Sequence, residues 1–185
     1  PSNLVQFAQM GSIYMENICK VKNPKVGLVN IGAEEEKGNN LAKETYQLLC
    51  NLEGINFIGN IEAREIPEGK ADVVVCDAFV GNVILKMYEG VGGVLLKKVK
   101  GTLMTSLKTK IGALLIKKEL KETLKTFQMD QYGGAPLLGL KGLVVKTHGN
   151  SKAIEVKNSI IQCISFKEMN INDKISKKLA VKKEN

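Results

Sequence analysis

Three short apolar runs, Val26–Ile31, Ile55–Ile58 and Val73–Cys76, alternate with stretches whose apolar residues recur at helical spacing. This alternation constrains the fold more than any other feature. Two parallel strands need a crossover between them, and a helix is the usual one. The expected class is α/β, an α/β sandwich with a largely parallel sheet. The third run meets Asp77, then a turn with Gly81 and Asn82, then a helical pattern. It reads as a buried strand ending at its carboxyl edge, where open α/β sheets bind ligands because the next helix turns amide donors outward. Asn82 is expected to cap that helix by accepting from N–H groups two or three residues on.

Leu4, Phe7, Ala8, Gly11, Tyr14, Met15 and Ile18 predict an opening helix that stops before Asn23-Pro24. Gly32–Gly38 is a polar loop. Asn39 or Asn40 is expected to cap the next helix, with Leu41, Thr45, Leu48 and Leu49 inward. Gly59-Asn60 is read as closing the second strand, and Pro67-Glu68-Gly69 as a turn. A long helical stretch from Asn82 is expected to break at Gly92-Gly93 and Gly101. Then come a glycine-rich loop at Gln131–Gly142, a strand at Leu143–Lys146 and a turn at Thr147–Ser151. A last helix runs to Met169, and Lys174–Asn185 is expected to fray. The expected organisation is one α/β portion over 1–170, with an amphipathic helical hairpin at about 82–125, and a lysine-rich tail over 171–185.

The net charge is +8, and Arg64 is the only arginine. Arginine reads guanine edges and aromatics stack on bases; with aromatics at 5%, nucleic acid is not the expected partner. Acidic proteins and anionic lipid fit a lysine-rich surface, as does solubility alone. At 44% apolar residues the chain is expected to pack rather than stay disordered. No run is read as long and apolar enough to span a bilayer, and no signal-peptide pattern occurs. Cys19, Cys50, Cys76 and Cys163 lie too far apart in sequence for a zinc or disulfide framework. Cys50 and Cys76 read as small core residues, and the expected compartment is a reducing cytoplasm. The opening on Pro1 suggests a piece of a longer protein.

Four loops offer small and polar residues: Asn30–Gly38, Asp77–Asn82, Tyr132–Gly142 and His148–Ser151. In a parallel sheet three of them would leave one carboxyl edge, and their glycines would let amides approach an oxyanion. The segments Val-Gly-Leu-Val-Asn-Ile-Gly-Ala-Glu-Glu-Glu-Lys-Gly-Asn (26–39), Asn-Phe-Ile-Gly-Asn-Ile-Glu-Ala-Arg-Glu-Ile (56–66), Val-Val-Cys-Asp-Ala-Phe-Val-Gly-Asn-Val (74–83), Gly-Gly-Ala-Pro-Leu-Leu-Gly-Leu-Lys-Gly (133–142) and His-Gly-Asn-Ser (148–151) resemble the bacterial phosphate acyltransferase family PlsX. The likeness runs from about Leu4 to Met169. It implies transfer of a fatty acyl group from acyl carrier protein to inorganic phosphate, giving acyl phosphate for phospholipid synthesis. It also implies an α/β/α sandwich similar to isocitrate and isopropylmalate dehydrogenases, a homodimer, and no metal or nucleotide cofactor. A cytoplasmic place, peripheral to the inner face of the membrane, goes with it. An Asp-Ala-Met-Gly-Gly-Asp opening and a Gly-Asn-Thr-Gly-Ala loop of that family are absent here, so the likeness is to its C-terminal portion. Ala78 stands where some members carry Gly.

Acyl transfer to phosphate needs an anion held beside a thioester carbonyl and donors for the oxyanion. Asn82 is expected to act there from its helix N-terminus, against a purely structural role. His148, the only histidine, can protonate the leaving thiolate or bind phosphate, against a hydrogen-bonded structural role. Gly81, Gly133 and Gly134 suit a donor-lined pocket, and Lys37, Gly38 and Lys86 are expected near the anion. Asp77 is expected to orient a lysine or donor. Ser151 is placed at the substrate but reads more readily as a helix cap than as a nucleophile. Leu103, Leu107, Ile111, Leu114 and Leu115 form a stripe beside Lys108, Lys110, Lys117, Lys118, Lys121 and Lys125, which suits anionic lipid or a dimer interface. The rival readings are an NAD(P)-dependent dehydrogenase of the same fold and a non-catalytic fragment that binds acyl carrier protein.

Overall fold

The computed structural model describes residues 1–125 and 133–180, without the side chains of Leu124 and Lys125. Gln131 and Tyr132 of the glycine-rich loop, residues 181–185 of the tail and the Lys125 side chain of the basic stripe lie outside the described residues. The described residues fall into two compact units, one drawn from Pro1–Asp77 and Gly133–Asn185, the other from Ala78–Tyr132.

The first unit is built on β1 (Lys25–Asn30), β2 (Asn56–Glu62) and β3 (Val73–Val75), a parallel sheet in the order β2-β1-β3. The expected α/β class with parallel pairing holds. β1 is central, and its buried run from Val26 to Leu28 fits a strand covered on both faces. Helices α1 (Ser2–Asn17) and α2 (Asn40–Cys50) pack on one core with Val26, Leu28 and Val75. Tyr46 of α2 meets Phe57 of β2 edge-on, with ring centroids 5.5 Å apart. Asp72 and Lys25 exchange two bonds, Lys25 N to Oδ2 at 2.7 Å and Asp72 N to the Lys25 carbonyl at 2.8 Å. This fixes the start of β3 beside β1.

Several expectations shift. α1 buries two stripes rather than one. Leu4, Val5 and Ala8 join the sheet core, while Met10 joins Phe166, Ile171 and Ile175 in a second core, leaving Phe7 exposed. Leu48 and Cys50 of α2 are also exposed, because Thr45 and Leu49 already face the sheet. Gly59-Asn60 does not end β2. Pairing runs Val26 with Phe57 and then Leu28 with Asn60, so β2 carries an extra residue at a bulge where Gly59 has φ +91°. β3 is an edge strand with Val74 exposed, so it is only partly the buried run expected.

β4 (Ala135–Pro136) and β5 (Val145–Lys146) pair antiparallel as a separate sheet. α6 (Ala153–Glu168) follows, and then α7 (Ile171–Ala180). The fraying expected from Lys174 onward does not begin there. Ile171, Ile175 and Leu179 recur every four residues, and the first two are buried against Met10 and Phe166.

The second unit holds α3 (Ala78–Leu103), α4 (Leu107–Leu115) and α5 (Lys117–Lys125). α3 runs unbroken through Gly92-Gly93 and Gly101, where breaks were expected. Read through those glycines, the 26-residue helix holds an 18-residue stretch with a mean hydropathy of 1.3, long and apolar enough to cross a membrane by length and composition. That corrects the expectation that no such run exists. No residue of α3 or α4 is buried.

Candidate functional site

The carboxyl edge of the parallel sheet carries the loop that follows β1. Asn30, the last residue of that strand, is buried and uses both ends of its amide. Its Oδ1 accepts from Ile31 N at 2.8 Å, and its Nδ2 donates to the Lys37 carbonyl at 3.0 Å. Asn60 of β2 donates from Nδ2 to the Glu34 carbonyl at 2.8 Å. The Glu34 carbonyl also accepts from Lys37 N at 3.2 Å, closing a turn. Gly38 then takes φ +88°, and a Cβ there would run into Asn30 Oδ1, so the position requires glycine. Asn39 accepts from Ala42 N at 2.9 Å and caps α2, one of the two expected caps; Asn40 is the first residue of the helix.

Lys37 emerges from this frame exposed, with no ion pair among the described residues. Glu34, Glu35 and Glu36 are exposed as well, making this a solvated acidic loop. The arrangement is a lysine on a rigid turn at the ligand-binding edge of a parallel sheet, beside a capped helix N-terminus. Such a site attracts an oxyanion.

Asp77 also lies just past a strand on this edge, two residues beyond β3. It occupies the N-cap position of α3, which begins at Ala78. The expected cap, Asn82, therefore sits inside the helix, and Gly81 is helical rather than part of a turn. The apolar pattern from Phe79 to Val83 is continuous with the rest of the helix, so the helix begins before Asn82. Beside it, burial pushes the Cys76 thiol up, and the Asp77 carboxylate adds to the shift. Lys86, one turn beyond Asn82, pairs with Glu89 at 2.9 Å on an exposed face. Gly81, Asn82 and Lys86 belong to the second unit, and Lys37, Gly38 and Asp77 to the first.

The remaining sequence-derived residues sit just before β4 and in the turn before α6, not on the parallel sheet. Gly133 has φ +78°, and a Cβ there would lie 2.8 Å from Ser159 N of α6. A Cβ on Gly134 would lie 2.6 Å from the Lys146 carbonyl of β5. Both glycines thus permit close backbone approach within the unit. His148 is exposed; its Nδ1 accepts from Asn150 N at 3.2 Å and its carbonyl from Ser151 N at 3.0 Å. Ser151 does not cap α6, because the helix starts at Ala153 and puts Lys152 at the cap position. Glu155 supplies the reciprocal bond instead, accepting from Lys152 N at 2.8 Å.

Sequence reasoning missed Asn30 and Asn60 as site residues. The available signal was two asparagines at the ends of apolar runs, and a buried strand end tolerates such a polar group only when its bonds are made.

Residues 1–174 match the family described as "Fatty acid synthesis protein". The chain is 54% identical over 175 residues to a phosphate acyltransferase of Clostridium novyi, covering 95% of this chain and 52% of the relative. It is 52% identical over 179 residues to a phosphate acyltransferase of Clostridium acetobutylicum, covering 97% and 54%. One from Acetivibrio thermocellus is 51% identical over 175 residues, covering 95% and 51%. The chain spans about half the length of the curated relatives it matches.

Proposed function

The chain belongs to the fatty acid synthesis protein family, and we propose on that premise that it takes part in moving a fatty acyl group to inorganic phosphate. The observation that carries this reading is the turn holding Lys37 and Gly38 at the carboxyl edge of the sheet. A phosphate oxygen attacks the thioester carbonyl, the carbon–sulfur bond breaks, and the thiolate leaves with a proton. The Lys37 ammonium offsets the charge of the incoming phosphate, and the Gly38 backbone lets it approach closely. An oxyanion donor is assigned to Asn82 and the proton for the thiolate to His148. Gly81, Lys86, Gly133, Gly134 and Ser151 are assigned to the substrates, and Asp77 to orienting a cation. The relatives' shared name favours this chemistry over the dehydrogenase reading.

Acyl carrier protein is the proposed acyl donor, drawn by the excess of lysine. The parallel sheet is proposed to be part of a wider α/β/α sandwich in the longer relatives, of the isocitrate and isopropylmalate dehydrogenase kind. The helical unit is proposed to serve a homodimer and a peripheral attachment to the inner face of the membrane, in a cytoplasmic protein. In its favour, Leu107, Leu114 and Leu115 are each at least 70% exposed beside Lys108, Lys117 and Lys118. A groove of about 570 Å³ among α3, α4 and α5 is lined by Leu96, Leu103 and Leu114 and rimmed by Lys100, Lys117 and Lys121.

The deciding experiment mixes acyl-loaded carrier protein with inorganic phosphate. It measures acyl phosphate with this chain and with a version extended at its N-terminus to the length of the relatives. Phosphate-dependent product from either supports the reading. Carrier binding without product from both would leave only a binding role.

A further inference from the structure

We propose that Asn30 and Asn60 are positioning residues for the anion, locking the backbone on both sides of Lys37 so that its ammonium meets a phosphate group at the sheet edge. The inference rests on the phosphate reading of Lys37. It adds two residues that touch neither phosphate nor acyl group.

The two asparagines come from adjacent strands and close on one residue. Asn30 Nδ2 holds the Lys37 carbonyl at 3.0 Å. On the other side, Lys37 N donates to the Glu34 carbonyl at 3.2 Å, and Asn60 Nδ2 holds that same carbonyl at 2.8 Å. β1 and β2 are hydrogen-bonded neighbours, so the turn is tied to the rigid centre of the sheet. The Lys37 stem passes close over Gly32, where a Cβ would lie 3.2 Å from Lys37 Cγ. Four rotatable bonds usually make lysine an imprecise ligand, because ordering it costs entropy on binding. A fixed backbone and a guided stem reduce that cost before the anion arrives.

Loop packing alone does not account for Asn60. It is 3% exposed, and its Oδ1 is buried without a hydrogen-bond partner. An apolar side chain of similar shape would remove that orphaned acceptor. What asparagine adds over such a side chain is the single bond to the Glu34 carbonyl, and therefore to the Lys37 turn. Asn30, 9% exposed, has both amide ends bonded to the same loop.

Stability and ligand affinity therefore separate at Asn60. Asn60→Leu removes the orphaned acceptor and the clamp together, and Asn30→Ser removes the reach to the Lys37 carbonyl. Inorganic phosphate is titrated into this chain and both variants while the backbone amides of residues 32–38 are followed by NMR, with melting recorded for each. The expected result is phosphate binding weakened about five- to tenfold in both variants. Asn60→Leu should melt within about 3 °C of the parent, and the Lys37 and Gly38 amides should exchange faster in each. Affinity within twofold of the parent in both variants overturns the proposal. So does a loss of melting temperature that tracks the affinity loss in both, since that is general loosening. A parent whose loop amides ignore phosphate sinks the reading of Lys37 itself, and the clamp's role with it.

Discussion

The two units use similar proportions of apolar sequence to opposite ends. In the α/β unit, Ala8, Val26, Leu28, Leu49, Ile61 and Ile171 are at most 1% exposed, and the sheet, α1 and α2 share one core. In the helical unit α3 and α4 bury nothing, and Leu107, Leu114 and Leu115 face outward. The difference lies in what fills the space beside each apolar face. Strands at the centre of a sheet meet covering helices from the same chain, whereas among the described residues α3 and α4 meet each other and α5 around an open groove that buries none of their residues. Local devices still support those helices. Ser106 Oγ accepts from Thr109 N at 3.2 Å, and Thr109 Oγ1 accepts from Ser106 N at 3.0 Å. Helices of nine residues are marginal by themselves in water, so α4 and α5 gain most from a surface that covers them.

The contrast breaks most directly by truncating one apolar side chain in each unit. Ile61→Ala should cost about 2–5 kcal/mol in denaturant unfolding, because it opens a cavity under Gly27 and β1. Leu114→Ala should stay within about 0.5 kcal/mol in dilute monomeric protein. Equal costs would mean that the helical unit is already covered in solution.

Glycines give the next largest effect. Gly38→Ala adds strain at φ +88° and a clash with Asn30 Oδ1, and should destabilise by about 1–3 kcal/mol. Gly92→Ala, in α3 with no neighbouring atom within 4 Å, should go the other way and raise helicity, by about 0.5–1 kcal/mol. Thermal melts followed by circular dichroism read both. The same sign at the two positions would erase the distinction between a glycine required by tertiary geometry and one merely tolerated.

The smallest effect concerns the helical surface. Reversing Lys117 and Lys118 to Glu should weaken flotation with anionic vesicles by about 1 kcal/mol per removed lysine, and more with the new charges repelled. It should leave binding to neutral vesicles unchanged. Flotation indifferent to the reversal would remove charge from the account and leave the apolar stripe alone.

Much of the fold is legible before any coordinates. The alternation of Val26–Ile31, Ile55–Ile58 and Val73–Cys76 with helical spacing requires parallel strands, and β1, β2 and β3 pair that way. A cap at Asn39 or Asn40 was readable because capping depends on residues three apart, and the structure puts it at Asn39. Asn82 was misplaced by the same logic, since two good caps, Asp77 and Asn82, compete five residues apart and local chemistry does not choose between them.

Periodicity reports that a face is apolar but not how many partners it will meet, which is why α1 hides a second stripe against α6 and α7. The order of residues by itself determined the α/β class, the polar turn after β1 and the basic lysine within it. Only the tertiary structure decided that Asn30 and Asn60, thirty residues apart, close on one loop. It also decided that Gly59 marks a bulge inside β2 rather than its end. The physical reason is that hydrogen-bond partners across strands are set by register. Register emerges only when the whole sheet is assembled.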